Sequence, residues 1–358
     1  MAIEKLNDVA LTSLQKQNRK QIQMWLYAIL LLCLAIVLVG GATRLTGSGL
    51  SITEWKPIHG VIPPIGIDQW QEEFLKYQQI AQYKLLNRDM TLSAFKVIFW
   101  WEWGHRVLGR LVGFVALLGL IWFWITKRIE RGILCQLIVV PILIAVQGVI
   151  GWWMVASGLG QSNLTSVSQY RLAIHLMAAC FVIVFVTYLS RGLTECTEKP
   201  ATQAVQRFAG WLVFLVLIEI YFGALVAGLH AGKVYNTWPL MDGQIIPDGL
   251  LNYDPIWINL FENPLTVQFV HRCFAYFLFI IALVHAFYVR KNIPHSAHAR
   301  RAFFLCIAIV IQALFGIVTL LNEVPLGWGV LHQGVALVIL YFSVVHWRAT
   351  KGAYRVIE

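Results

Sequence analysis

Four histidines in apolar segments are the residues of this sequence best suited to chemistry. They occur in WEWGHRVLGR, YRLAIHLMAA, QFVHRCFAY and GVLHQGVAL, as His105, His175, His271 and His332. An ionisable side chain inside a membrane segment is costly and marks a functional site. Imidazole is a common ligand of metals and of heme iron. A structural histidine, satisfied by a neighbouring hydroxyl or carbonyl, would explain one such residue more easily than four. The pattern therefore favours two bis-histidine metal sites, with heme iron as the preferred metal.

The composition is that of an integral membrane protein. The chain has 358 residues, of which 58% are hydrophobic and 13% are charged, whereas a soluble domain is about a quarter charged. Apolar runs of spanning length, about 20 residues each, predict eight transmembrane helices. These runs cover about 24–43, 104–125, 133–156, 170–190, 208–228, 266–289, 302–321 and 327–347.

Basic residues follow an alternating pattern that predicts the topology. Segments 126–132, 191–207 and 290–301 and both chain ends are rich in Lys and Arg, whereas 157–169 and 322–326 contain none. The positive-inside rule then places both termini in the cytoplasm. The net charge of +10 is thus explained by topology, and no nucleic-acid partner is expected. The N-terminal segment resembles neither a signal nor a transit peptide, so we expect a multi-pass protein of a bacterial plasma (inner) membrane.

The first four and the last four predicted helices resemble two copies of one unit. Because each unit contains an even number of spans, the copies are parallel, related by an axis along the membrane normal. The predicted fold is an all-α integral membrane protein whose eight transmembrane helices form two parallel-repeat four-helix bundles. The matching segments are Gln147–Gly151 with Gln312–Gly316, His105-Arg106 with His271-Arg272, and Gly41-Ala42 with Gly223-Ala224.

The repeat also predicts the domain organisation. Each four-helix unit offers two imidazoles near the outer face, and helix bundles commonly hold cofactors between facing helices. The predicted parts are a cytoplasmic tail at 1–23, an N-terminal bundle at 24–190, a cytoplasmic linker at 191–207, a C-terminal bundle at 208–348 and a cytoplasmic tail at 349–358.

The two halves differ three residues before the first histidine of each pair. Glu102 precedes His105, whereas Gln268 precedes His271. Residues three apart share one face of a helix, and a carboxyl at the membrane boundary is costly enough to suggest a function. We therefore expect the first half to perform chemistry and the second to hold a redox cofactor. Alternatively, Glu102 faces water or pairs with Arg106.

Arginines beside the histidines are candidates for binding heme propionates. Arg106, Arg110 and Arg171 flank the first pair, and Arg272 follows His271. A guanidinium binds a carboxylate through two parallel hydrogen bonds. The alternative is that these side chains extend to the membrane interface.

Two further histidines could extend the metal-site pattern. His285 and His346 each lie 14 residues after a candidate ligand, about 21 Å further along a helix. They would form a second stacked heme site, or they are interfacial residues without a ligand role. In the first long loop, Asp68-x-x-Gln71 predicts a capped amphipathic helix, either a lid over the first site or a structural connection.

These motifs resemble the heme A synthase family, of the bacterial type close to the mitochondrial enzyme. GGATRLTGSGLSITEWKPIHGVIPP is similar to the family's first-loop signature, and the resemblance spans about residues 20–348. The other matching segments, in the family's order, are FKVIFWWEWGHRVLGR, QGVIGWWMVASGL, YRLAIHLMAA, AGKVYNTWPLMDG, FVHR and VLHQGVAL.

The resemblance implies a reaction and roles for the candidate residues. Such enzymes convert heme O to heme A by successive hydroxylation of the C8 methyl group, and the resulting gem-diol loses water to leave a formyl group. His271 and His332 would hold a heme b cofactor, with Arg272 beside it. His105 and His175 would receive the heme O substrate, and Glu102 would be the functional glutamate. The heme O synthase is a candidate partner, and a homo-oligomer is a candidate assembly.

Two other functions remain open at the level of sequence. A diheme b-type cytochrome would transfer electrons from a quinol without modifying heme, and a heme carrier would bind heme without turnover. The difference between Glu102 and Gln268 favours an enzyme. Some relatives carry a cysteine pair in the first outside loop, but this sequence has no cysteine between Thr46 and Trp103. The electron donor stays open.

Overall fold

A computed structural model describes residues 11–56, 59–160, 162–194 and 198–354 of the chain. Within these ranges the protein is helical, without a named β-strand, and eight helices are long and apolar enough to cross a membrane. The predicted all-α multi-pass fold is thus confirmed. The helices are α1 Ser13–Leu45, α2 Ile67–Tyr77, α3 Ala81–Leu86, α4 Leu92–Ile125, α5 Arg131–Val155, α6 Gln169–Gly192, α7 Gln203–Gly228, α8 Asn259–Glu262, α9 Pro264–Asn292, α10 Ala297–Leu321 and α11 Leu326–Ala349. The spanning helices are α1, α4, α5, α6, α7, α9, α10 and α11.

Two spanning helices begin well before their apolar runs. Thr12 starts α1 with a capping box, in which its side chain and that of Gln15 each accept from the other's backbone N–H. Thr91 caps α4 by accepting from the backbone of Ala94 at 3.2 Å. His105 therefore lies about four turns into its helix, and the apolar run from about residue 104, which predicted His105 in the first turn of its helix, was wrong about where that helix begins. Caps, rather than hydropathy, determine where these two helices begin.

The spanning helices pack as two rings of four. In the first ring α1 contacts α4, α4 contacts α5, α5 contacts α6, and α6 returns to α1. Helices α7, α9, α10 and α11 form the second ring in the same order, and the rings meet through α1, α6, α7 and α11. This packing is compatible with the predicted pair of four-helix bundles, whereas the division into separate domains stays a prediction.

The rings bury aliphatic side chains inside and expose apolar side chains outside. Leu26, Leu137, Leu212 and Leu340 belong to one buried cluster that includes residues of both rings. Large residues such as Trp122 are more than half exposed on the outer surface. Exposed apolar side chains around helices of this length suit contact with lipid rather than water.

One end of the molecule is fastened by a buried ion pair. Arg19 at the start of α1 donates from Nε and Nη2 to the two carboxylate oxygens of Glu130, at 2.6 and 2.7 Å. Arg19 Nη1 also donates to the carbonyl oxygen of Tyr354 at 3.1 Å. The start of α1, the α4–α5 connection and the C-terminal segment therefore lie together. These are segments that the basic-residue pattern predicts on one side of the membrane.

The predicted amphipathic helix is present as α2, but its start differs from the prediction. Gly66 occupies the cap position without a side-chain hydrogen bond, and Asp68 lies inside the first turn. Asp68 favours that turn through its charge near the helix N-terminus. Gln69, not Gln71, accepts a hydrogen bond from the backbone of Ile65 at 2.9 Å.

Aromatic packing fixes α2 on the part of α4 that precedes the apolar run. The Trp70 ring lies 4.9 Å from that of Phe99, and the Tyr77 ring lies 5.3 Å from that of Phe95, between centroids. Tyr77 and Phe95 are fully buried. The early start of α4 therefore provides the surface on which α2 rests.

Candidate histidine metal centres

The four histidines lie on four different helices and come together as two pairs. Helices α4 and α6 supply His105 and His175 to the first ring, and α9 and α11 supply His271 and His332 to the second. The two imidazoles of each pair are near enough to interact electrostatically. The structure thus brings together the partners that the sequence paired.

Each histidine ring is seated against a glycine of the preceding spanning helix. A Cβ atom built on the glycine would lie 2.9 Å from the histidine Cε1 atom at three of the contacts and 3.3 Å from it at the fourth. Because real Cβ contacts essentially never fall below 3.0 Å, glycine is what allows three of the rings to stand there. The contacts are Gly40–His105, Gly151–His175 and Gly316–His332 at the shorter distance, and Gly223–His271 at the longer.

These contacts correct the register of the internal repeat. The sequence aligned Gly41 with Gly223, but the residue that faces the first histidine is Gly40. The two adjacent glycines of α1 made this single-residue ambiguity possible. In the corrected register, Gly40-Gly41 corresponds to Gly223-Ala224.

The repeated glutamines anchor the second histidine of each pair. Gln147 Nε2 donates to the carbonyl oxygen of His175 at 2.8 Å, and Gln312 Nε2 donates to that of His332 at 3.0 Å. Each glutamine precedes by one helical turn the glycine that seats the same ring. The Gln-x-x-x-Gly motif therefore fixes both the backbone and the ring of a histidine on the neighbouring helix.

The surroundings of the four histidine side chains fit a ligand role. In the described part of the chain, Nδ1 of all four rings is buried without a well-aligned hydrogen bond. Main-chain carbonyls of Ile36 and Gln312 nevertheless lie beside the rings of His105 and His332. A metal-bound histidine commonly directs one ring nitrogen to such a carbonyl and the other to the metal. Since no group of three or more candidate metal ligands occurs among the described residues, a bis-histidine centre suits these sites better than a protein-caged ion.

Glu102 is buried and fully engaged in the first ring. Its Oε2 accepts from the Ser51 hydroxyl and from the Ile52 backbone N–H, both at 2.8 Å. Its Oε1 accepts from Nε and Nη2 of Arg106 at 3.1 and 2.7 Å. Only 3% of Glu102 is exposed, so the alternative that it faces water is wrong, whereas the pairing with Arg106 is present.

Arg106 connects Glu102 to the loop that follows α1. Its Nη2 and Nη1 donate to the carbonyl oxygens of Ile52 and Glu54, at 2.8 and 3.0 Å. In the same loop, hydrogen bonds from Lys56 and Lys76 lower the pKa of the Glu54 carboxyl. The loop is therefore held over the helix by both main-chain and charged contacts.

Gln268 makes the equivalent connection in the second ring with an amide. Its Nε2 donates to the Tyr235 carbonyl oxygen at 2.8 Å, and its Oε1 accepts from Arg272 Nη2 at 3.3 Å. Arg272 Nη2 also lies 3.4 Å from the Tyr235 oxygen. Both side chains thus join the helix to a loop and to an arginine, but Glu102 accepts from the loop whereas Gln268 donates to it, and only Glu102 carries a carboxylate.

The candidate arginines differ in their free donors. Arg272 Nε and Nη1 are buried and have no hydrogen-bond partner among the described residues, which suits an anionic group. Arg106 uses Nε, Nη1 and Nη2 in the contacts above. Arg110 donates to the Lys56 carbonyl oxygen at 3.0 Å, and Arg171 donates to the Trp153 carbonyl oxygen at 2.7 Å. A heme with its propionates therefore fits the residues of the second ring.

A carboxylate that the sequence reasoning missed lies beside His271. Glu219 Oε1 is 3.0 Å from His271 Nδ1. Glu219 stands alone in the apolar run WLVFLVLIEIYFGALVAG of α7, and a lone charge in such a segment was the signal that could have identified it.

His285 and His346 form a pair of their own near the other end of the second ring. Their Nε2 atoms are 2.8 Å apart and hydrogen-bonded to each other, and both residues are buried. Iron between two imidazoles needs about 4 Å, twice an ordinary metal–nitrogen distance. The hydrogen-bonded pair therefore favours the interpretation without a ligand role over that of a stacked heme site, and both side chains are buried rather than exposed at an interface.

The two rings are joined close to the histidines. Gln333, next to His332, packs against Gly41 of α1 and donates from Nε2 to the Val37 carbonyl oxygen at 3.0 Å. Gly41 is adjacent to Gly40, on which His105 rests. A short packed connection thus links a histidine of each ring through protein atoms.

The fold and its sites define a multi-pass membrane protein with two helix-borne histidine pairs. Residues 23–344 match the profile of the cytochrome oxidase assembly protein family. The chain is 81% identical to the heme A synthase of Bartonella bacilliformis over 358 residues, the full length of both chains. It is 58% identical to the heme A synthase of Brucella ovis over 343 residues, which are 96% of this chain and 95% of that relative.

This protein belongs to the cytochrome oxidase assembly protein family, within the group that includes these heme A synthases.

The glycine seats generate a prediction with an internal control. Gly151→Ala and Gly316→Ala should each displace a histidine ring and lower the heme bound per protein several-fold, because a methyl group would enter the space of Cε1. Gly148→Ala, one turn from Gly151, should leave heme content unchanged, since no described heavy atom outside its own helix backbone and its chain neighbours lies within 4 Å of its Cβ position. Heme is measured by pyridine hemochrome on purified protein; equal heme content in all three variants would contradict the account.

Proposed function

We propose that this protein is a heme A synthase that converts heme O to heme A by successive hydroxylation of the C8 methyl group to a formyl group. The observation that supports this most strongly is the 81% full-length identity to a protein of that name. In reaction class, the enzyme is an oxidoreductase that acts on a CH group. The names of these relatives give no support to the alternative of a quinol-linked diheme cytochrome.

The second ring is proposed to hold the resident cofactor, heme b. His271 and His332 would bind its iron, and the free Nε and Nη1 of Arg272 would bind a propionate. When bound, heme b supplies one-electron transfer. The chain itself provides the seats at Gly223 and Gly316 and the contact of Gln333 with the first ring.

The first ring is proposed to receive heme O as substrate. His105 and His175 would bind the iron of the substrate and so orient it. Their imidazoles are held in place by packing against Gly40 and Gly151. Arg110 and Arg171 are the proposed propionate contacts. Because the donors of Arg106 are occupied by Glu102 and the outer loop, we assign Arg106 to supporting Glu102 instead.

Glu102 is proposed to place a fixed negative charge beside the substrate. Ser51, Ile52 and Arg106 hold both of its oxygens as acceptors. A preorganised charge stabilises an opposite charge that develops during oxidation of the methyl carbon. This arrangement favours charge stabilisation over proton relay, the other role considered for this residue.

The test is the heme content of the purified full chain and of Glu102→Gln, each produced with and without a heme O supply. We expect the parent to yield heme A only when heme O is supplied. Glu102→Gln should still bind heme, because it nearly preserves the size of the side chain and leaves His105, His175 and their glycine contacts unchanged. It should accumulate heme O and form heme A at least a hundredfold more slowly, within the range for loss of a charged catalytic group.

Two outcomes of this experiment would contradict the proposal. If the parent chain contains only heme b when heme O is supplied, the protein is not a heme A synthase. If Glu102→Gln forms heme A at the parent rate, the enzyme stands but the role of Glu102 is lost.

We also propose a bacterial inner-membrane location with both termini in the cytoplasm. The alternating Lys and Arg pattern supports this orientation, and the buried Arg19–Glu130 pair gathers the relevant segments at one end. A fluorescent reporter that matures only in the cytoplasm should be bright when fused to the C-terminus, and a dark fusion of normal abundance would contradict the orientation. Association with the heme O synthase and homo-oligomer formation stay predictions.

A further inference from the structure

Glu219 is a carboxylate inside the membrane-spanning helix α7, where no part of the proposed mechanism uses it. Its side chain is 16% exposed, and its Oε2 is buried without a hydrogen-bond partner in the described ranges. A charge in such a segment costs several kcal/mol or more. A carboxylate in this position therefore needs a contact that offsets the free energy of placing its charge in the membrane.

The compensating contact is His271. Glu219 Oε1 lies 3.0 Å from Nδ1 of the ring, and the main-chain carbonyl of Glu219 lies beside the same ring. The carboxylate oxygen is not aligned with the N–H direction closely enough for an ordinary hydrogen bond. The contact is therefore chiefly electrostatic in this geometry, with the acceptor already in place for a ring that carries its proton on Nδ1.

The first ring provides a built-in comparison. Ile36 lies four residues before Gly40, as Glu219 lies four residues before Gly223, and each faces the first histidine of its ring. Ile36 offers His105 only its main-chain carbonyl. The carbonyl is thus common to both rings, and the carboxylate is added only in the second.

We propose that Glu219 is a positioning residue that keeps the His271 proton on Nδ1, directs Nε2 to heme iron, and lowers the reduction potential of that heme. This inference rests on the proposed function, because it assumes a heme on His271. A carboxylate beside Nδ1 makes the imidazole a stronger donor to the metal, and stronger donation favours the oxidised iron. The second ring thereby holds its heme as a stronger reductant than the same heme would be on His105.

The experiment is a redox titration of the full-length protein purified without a heme O supply, so that heme b is the bound species. Glu219→Gln removes the charge while nearly preserving shape, and Glu219→Ile installs the residue found at the equivalent position of the first ring. At the midpoint potential of the parent, each should show a reduced-to-oxidised ratio about tenfold higher, which is about 59 mV for a one-electron couple.

Glu323→Gln is the matched control, because it removes one carboxylate from the adjacent loop, where Glu323 contacts Asn236. It should leave the potential unchanged. A potential equal to that of the parent in both Glu219 variants, with heme still bound, would overturn the inference and leave the proposed function intact. Absence of heme from the parent protein would overturn both.

Discussion

An imidazole buried in a membrane helix needs its neighbours to provide both space and hydrogen-bonding groups, and the rest of this structure depends on that requirement. Each of the four imidazoles packs against a glycine, and three of them stand where only a glycine leaves room. The main-chain carbonyls of two of these histidines, His175 and His332, also accept a hydrogen bond from a glutamine side chain. Because every one of these supports comes from an adjacent helix, the histidines can be held only if all four helices of a ring pack in register.

Within this shared frame, the two four-helix rings place their carboxylates at different positions. The first has the carboxylate of Glu102 at the junction with the loop that follows α1, and the second has the amide of Gln268 at the corresponding position. The second has the carboxylate of Glu219 beside its first histidine, and the first has Ile36. In the proposed function, the carboxylate of the first ring would lie beside the substrate that is oxidised. The carboxylate of the second ring would lie beside a histidine ligand and lower the reduction potential of the cofactor.

Much of this was accessible from sequence because it depends on periodicity and residue type. The apolar runs predicted the eight spans, and repeated motifs paired His105 with His175 and His271 with His332. The early start of α4 was missed because its first turns are stabilised by the Thr91 cap and by aromatic packing with α2, which hydropathy does not report. The shift from Gly41 to Gly40 was missed because adjacent glycines differ only in the direction they face.

The central claim is that the two histidine pairs hold different hemes, and comparison of His175→Ala with His332→Ala tests it most directly. Both variants are produced with a heme O supply, and the hemes of each purified protein are extracted and separated. The account predicts that His332→Ala loses heme b and keeps heme O, whereas His175→Ala keeps heme b and loses both heme O and heme A. Loss of the same heme from both variants would contradict it.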